Sequence, residues 1–206
     1  MNVKLVHITP ECEKHITYCA RVSNPNNQDN KEYEKLLSYC IKNNHYSIFE
    51  MVNMCLEITT SRAISAQILR HKSFSFQEFS QRYTESTEFE DYNARKQDIK
   101  NRQNSTNDLS DEIKNWFCLK QIENNTSALN LYKMALDKGI AKECARFLLP
   151  LSTKTKLYMN GNIRSWMHYI NLRCDKSTQL EHRLIAEKCK KIFKEQLPIV
   201  SKALNW

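Results

Sequence analysis

The chain has 206 residues, enough for one domain with a sizeable core, and 41% of them are hydrophobic, a fraction that is ordinary once the many Lys and Asn are allowed for. Lys and Arg (31) outnumber Asp and Glu (23), and the net charge of +8 asks for anionic partners, nucleic acid or small phosphorylated ligands, without choosing between them. With only two glycines, Gly139 and Gly161, neither a phosphate-cradling P-loop nor a dinucleotide fingerprint is possible. No apolar run approaches the ~20 residues that span a bilayer, and no secretory leader is recognisable. Eight scattered cysteines contain no Cys-x-x-Cys pair, so they signal neither a metal site nor a redox pair, but free and mostly buried thiols in a reducing cytosol.

Residues 3–8 alternate and predict a strand. Helical spacing marks 11–22 and 31–43 (Leu36, Leu37, Cys40, Ile41 in the second), separated by the turn-forming run Ser23-Asn-Pro-Asn-Asn. A half-buried strand is predicted over 51–60, with Val52, Met54, Leu56 and Ile58 on one face and Asn53, Glu57 and Thr59 on the other. Ser61 is placed to cap a helix reaching about His71. Residues 73–80 alternate again, with Phe74 and Phe76 turned inward. The polar stretch 93–110 reads as a loop or a mobile insertion. A long helix over about 110–138 has Gly139 as its stop, and a second runs over about 140–149 to Pro150. A strand follows over 153–159, and Asn162 is placed to cap a helix ending near Arg173. Thr178-x-x-Glu181 has the form of a capping box opening a helix over 179–196, which Pro198 interrupts. No internal repeat is present. The sum is an α+β or α/β domain with more helix than strand.

The densest chemistry lies in 67–83, where Arg70, His71, Lys72 and Arg82 surround Gln67, Glu78 and Ser80, interleaved with Phe74, Phe76 and Phe79. Guanidinium forks at Arg70 and Arg82 match pairs of phosphate oxygens. Gln67 offers a donor and an acceptor, as the edge of a uracil ring requires, and it shares a helix face with Arg70. Alone, Arg-His-Lys at a helix end satisfies its own carbonyls; the polar residues that follow at fixed distance argue against that reading. Ser80 suits a phosphate donor better than a nucleophile, since no Ser-His-Asp set is legible. His45-x-Ser47-x-x-Glu50, taken alone, reads as a turn. Arg146 is a cation among apolar residues and needs an anionic partner, from a ligand or from within the chain. Asn162-x-Arg164 opens a helix where free N–H groups favour an anion, with His168 one turn on and Arg173 at the end, where a cation also serves the helix dipole.

Together these motifs resemble the flavin-dependent thymidylate synthases, the ThyX family. That family carries Arg-His-Arg, seven residues, then Ser-x-Arg. Here Arg70-His71-Lys72 is followed by seven residues and Ser80-Gln81-Arg82, with Lys72 in place of the second Arg. His45-x-Ser47-x-x-Glu50, Ala145-Arg146-x-x-Leu149-Pro150, Asn162-x-Arg164-Ser165 and Asn171-Leu172-Arg173 follow in the family's order, so the match covers about 40–85 and 140–185.

The resemblance implies a single domain over 1–206, with helices packed around a small, mostly antiparallel sheet. It implies methylation of dUMP to dTMP with methylenetetrahydrofolate as carbon donor, FAD as hydride carrier and NADPH as reductant. By position, Gln67, Arg70, Arg146 and Arg173 contact dUMP, joined by Glu78, Ser80, Gln81 and Arg82 of a neighbouring subunit in a homotetramer. Arg173 is the catalytic candidate. His45, Ser47, Glu50, Arg70, His71, Lys72, Glu78, Asn162, Arg164 and His168 fall to FAD, and no metal is implied. Two other readings stay open at this level: a basic nucleic-acid-binding module, for which no motif exists, and a flavoprotein that binds dUMP without turnover.

Overall fold

A computed structural model describes residues 1–206. Its main sheet has the order β1-β2-β6-β3, every neighbouring pair antiparallel. The elements in chain order are β1 (Asn2–Ile8), α1 (Cys12–Ala20), α2 (Glu34–Lys42), β2 (Asn53–Ser61), α3 (Arg62–Ile68), β3 (Ser75–Glu78), β4 (Lys96–Gln97), β5 (Ser105–Thr106), α4 (Asp111–Asp137), α5 (Lys142–Ala145), β6 (Lys154–Asn162), α6 (Ile163–Arg173), α7 (Leu180–Gln196) and α8 (Pro198–Ala203). The mixed fold with its small antiparallel sheet is the one expected.

Strand period dictates the layering. On β2, Met54, Leu56 and Ile58 are fully buried, and opposite them on β6 lie Met159 and Leu157. These side chains join Ile64 and Ile68 of α3, Trp166, Tyr169 and Ile170 of α6, and Ile185, Cys189 and Phe193 of α7 in one core. The alternate residues Glu57, Lys156 and Tyr158 turn to the polar face, where Tyr158 donates to Glu57. β6 runs three residues beyond the expected end and passes directly into α6. The side chain of Asn162 makes the turn by accepting from the Ser165 N–H at 2.8 Å. Trp166 Nε1 donates to the Met54 carbonyl and fastens α6 across the sheet. Gly161 is required here, because a Cβ would lie 2.5 Å from the Phe74 ring.

Gly139 ends α4 as expected, at φ +78°. Its N–H bonds Leu136 O and the Ile140 N–H bonds Ala135 O, the paired closure of a left-handed C-cap. Four expectations need correction. Thr178 and Glu181 form no capping box: Thr178 donates to Leu172 O, and the Glu181 carboxylate is taken by Arg95, whose two-pronged ionic contact outcompetes a backbone N–H. Ser61 occupies the N-cap of α3, but its hydroxyl accepts from Tyr92. The 140–149 helix is one short turn, α5, followed by a 3-10 turn at Arg146–Leu148. Finally, 93–110 contains a two-stranded hairpin, β4–β5, whose connection is tied by Asp98 Oδ1 to the N–H groups of Lys100 and Asn101.

Candidate active site

Two separate groups of residues emerge from the stretch 67–83. The first gathers where α3 ends against the C-terminal part of α6. Arg173, in the last turn of α6, donates from Nε to His71 Nε2 at 2.9 Å, joining positions 102 residues apart. For that bond Nε2 must accept, so the His71 proton sits on Nδ1. Burial, then the positive charges of Arg173, His168 and Arg70, hold the His71 pKa down at about 4, leaving a neutral imidazole. Its ring stands edge-on to Tyr169, with centroids 4.9 Å apart. Tyr169 shares a 3.2 Å hydrogen bond with His182 Nε2. His182 is wholly buried and kept neutral, its pKa near 3. Both Nη groups of Arg173 are free of bonds within the chain.

Around this pair stand polar groups with no partner. The side chains of Arg70, Lys72 and His168 are exposed and form neither hydrogen bond nor ion pair with the rest of the protein. Gln67 donates to Gln179 Oε1 at 2.6 Å. Arg164 pairs with Glu50, so the 3-10 turn Tyr46–Glu50 is tied to the start of α6. Ser47 lies exposed on that turn, and His45, just before it, is exposed and edge-on to Tyr39. A cavity of about 400 Å³ opens beside Arg164 and His168, walled by Tyr46, Met167, Asn171, Leu204 and Trp206. Asn162 spends its side-chain oxygen on the α6 cap.

The second group lies on β3 and beyond. Glu78 Oε1 accepts from Ser65 Oγ at 2.6 Å and Thr155 Oγ1 at 2.9 Å, and pairs with Arg62 at 2.9 Å. Ser80 Oγ receives the Arg82 N–H, and Gln81 is buried. Arg82 pairs with Glu143 at 3.0 Å. Arg146 donates to the Glu143 carbonyl at 3.2 Å and lies over the Phe147 ring. Arg146 and Arg82 therefore meet at Glu143, and the half-exposed head of Arg146 needs no buried carboxylate. Tyr169 is one turn before Arg173 on α6, so helical spacing carries a signal for it. His182, Gln179 and Arg95 carry none, because each reaches the site through tertiary packing.

A wider groove of about 1220 Å³ lies between the end of α1, the loop 23–33 and α2, lined among others by Arg21, Ser23, Asn27, Lys31 and Tyr33. Arg21 is committed to the carbonyls of Asn30 and Glu32, and none of the sequence-identified residues reaches the groove. The Arg173–His71 pair and the unpaired Arg70 and Lys72 gather instead at the α3–α6 end. Its unpaired cations suit a phosphate or diphosphate, and the adjoining aromatic and aliphatic walls suit a flat ring. This donor set fits a flavin nucleotide.

Comparison with known proteins points the same way. The family described as Thymidylate synthase complementing protein matches residues 4–199. A flavin-dependent thymidylate synthase of Synechocystis sp. is 59% identical over 191 residues, covering 93% of this chain and 88% of the relative. A probable flavin-dependent thymidylate synthase of Paramecium bursaria Chlorella virus 1 is 50% identical over 215 residues and covers 100% of both chains. The crystal structure of the UMP/dUMP methylase PolB from Streptomyces cacaoi bound with 5-Br dUMP superposes with a TM-score of 0.87 at 26% identity, over 99% of this chain and 94% of that one. With a family match across nearly the whole chain and relatives this similar, the chain belongs to the flavin-dependent thymidylate synthases.

Proposed function

We propose that the protein methylates dUMP to dTMP, using methylenetetrahydrofolate as carbon donor, NADPH as reductant and FAD as the resident flavin. The observation that carries this reading is the Arg173–His71 contact, set beside the unpaired cations Arg70 and Lys72 and the exposed His168. It joins the two motifs of the sequence into one anion-binding, ring-reading site.

The residues divide the work by their chemistry. Arg70 and Lys72 neutralise phosphate, Arg70 with a two-pronged fork and Lys72 as a point charge. Gln67 reads the edge of the uracil. Carbon 5 of uracil is a poor nucleophile until negative charge builds on the ring and its carbonyl oxygens. Arg173 cannot lose its proton, and its free Nη groups stabilise that charge where it develops, lowering the barrier more than the ground state. His71, held neutral, accepts from Arg173 Nε without adding a competing positive charge and so fixes the plane of the guanidinium. When bound, the reduced flavin supplies the hydride. No protein thiolate is needed, which agrees with Cys12 and Cys189, buried thiols whose pKa values are raised by desolvation.

A homotetramer with shared active sites completes the proposal. The second group, Glu78 to Arg82 with Arg146, serves the dUMP site of a neighbouring subunit. What supports this is the exposed apolar surface of α4: Trp116, Leu119, Ile122 and Met134 are each more than half exposed. A long helix apolar on both sides asks for a partner. A cytosolic setting belongs to the same reading, and the eight unpaired thiols fit a reducing compartment. No helix is long and apolar enough to cross a membrane.

The test is optical. Purified protein should show the visible absorption of an oxidised flavin, and dUMP should perturb it. A colourless protein that cannot be reconstituted with FAD would defeat the proposal.

A further inference from the structure

One hydrogen-bonded chain runs from the β4–β5 hairpin to Gln67, and every link in it has a forced polarity. Arg95 grips Glu181 with both prongs, Nη1 to Oε1 at 2.6 Å and Nη2 to Oε2 at 3.0 Å. Its Nε is held by Ser105 Oγ at 2.8 Å, so the hairpin itself orients the fork. The ion pair is enclosed: the side chains of Arg95 and Glu181 are 16% and 5% exposed. Burial alone would raise the Glu181 pKa; the hydrogen bonds from Arg95 and Gln179 outweigh it, and the net direction is down. Glu181 is thus an ionised carboxylate and accepts only.

An acceptor at that point fixes both amides beyond it. Gln179 must turn its NH2 toward Glu181 Oε2, at 2.9 Å. Its Oε1 then faces Gln67 and takes the Gln67 NH2 at 2.6 Å. The Gln67 oxygen is left free, facing away from the relay. The N3–H of uracil needs such an acceptor. Cytosine carries an acceptor at N3 and would require the Gln67 amide to turn over, which would set oxygen against oxygen at Gln179.

We infer that Arg95, Glu181 and Gln179 are positioning residues that lock the Gln67 amide with its oxygen outward, making Gln67 the residue that selects uracil over cytosine nucleotides. The inference rests on the reading of Gln67 as the uracil contact. It also gives the polar hairpin a task, since through Arg95 the hairpin sets the face that Gln67 shows to the base.

The test uses the FAD-loaded protein, with affinities for dUMP and dCMP read by calorimetry and by the flavin spectrum. Gln179 is exposed, so Gln179→Ala removes the relay without unfolding risk; Arg95→Met is the second variant, removing the relay at its far end. Each should lower the dUMP-over-dCMP preference about tenfold, the cost of one amide left free to turn, while the spectrum of the bound flavin stays unchanged. Gln67→Ala should weaken dUMP binding, and adding Gln179→Ala to it should change nothing further, because the two act as one unit. Should Gln67→Ala weaken dUMP binding while Gln179→Ala leaves both affinities as they were, the relay is overturned and the uracil contact stands. If Gln67→Ala itself leaves dUMP affinity unchanged, the uracil contact and the relay fall together.

Discussion

The two ends of the segment Gln67–Tyr83 are built on opposite principles. At its start, Arg70 and Lys72 are exposed and unpaired, gathered around a neutral His71. At its end, Glu78 is saturated at one oxygen by Arg62, Ser65 and Thr155, and Arg82 already has Glu143. Like charges without partners weaken a fold slightly and are kept where a ligand will neutralise them. A carboxylate with three donors is part of the fold's own polar framework. The start of the segment is therefore organised for binding, whereas its end is organised first for stability, and the two ends should respond differently to the same kind of substitution.

The largest effect belongs to the start. Arg173→Ala should lower turnover by about 10²–10³-fold, the loss seen when a preorganised charge-stabilising donor is removed. Visible flavin absorbance and unfolding midpoint should hardly move; the activity assay and a urea titration read the two quantities. At the other end, Glu78→Ala strands Arg62 and two hydroxyls and should cost about 3 kcal/mol in unfolding free energy by urea denaturation. Equal stability losses for the two variants would erase the contrast.

Acid should sharpen it further. His71 and His182 have folded-state pKa values of about 4 and about 3, below the 6.5 expected of a free imidazole. The unfolded chain therefore binds protons that the native chain refuses. Stability is full above about pH 6.5 and is lost as the pH falls toward 4 for His71 and toward 3 for His182, each contributing a slope of up to ~1.4 kcal/mol per pH unit. Urea unfolding at pH 7.5 and pH 5 measures this slope, and His182→Phe should flatten it; an unchanged slope would mean the buried imidazole is already protonated. Smallest of all on stability are Arg70→Ala and Arg82→Ala, both within about 0.5 kcal/mol for exposed groups. Binding shows what stability does not: Arg70→Ala should weaken dUMP or FAD affinity about tenfold through the lost phosphate contact, as a titration would show.

Much of this architecture is legible in the residues. The alternation in 53–58 fixes which face of β2 is buried, Gly139 supplies the left-handed stop, and Asn162 marks the start of α6, because period, positive φ and capping are local effects. The motifs at 45–50, 70–82 and 162–173 mark the candidate site for the same reason: each keeps its chemistry within a short stretch of chain. What was not legible depends on partners far away. Glu181 looks like a capping residue until Arg95, 86 positions earlier, arrives to claim it. Arg82 looks like an uncommitted phosphate fork until Glu143, 61 positions later, pairs with it. The 93–110 stretch reads as structureless because strands of two residues, Lys96–Gln97 and Ser105–Thr106, leave no period to detect.

The central claim is that the site methylates uracil and does more than bind it. Its most direct test is the release of tritium from dUMP labelled at carbon 5, followed in the FAD-loaded protein with methylenetetrahydrofolate and NADPH. Release should match dTMP formation, require both co-substrates and be strongly reduced in Arg173→Ala. A protein that retains FAD and binds dUMP, yet releases no tritium under those conditions, would contradict it.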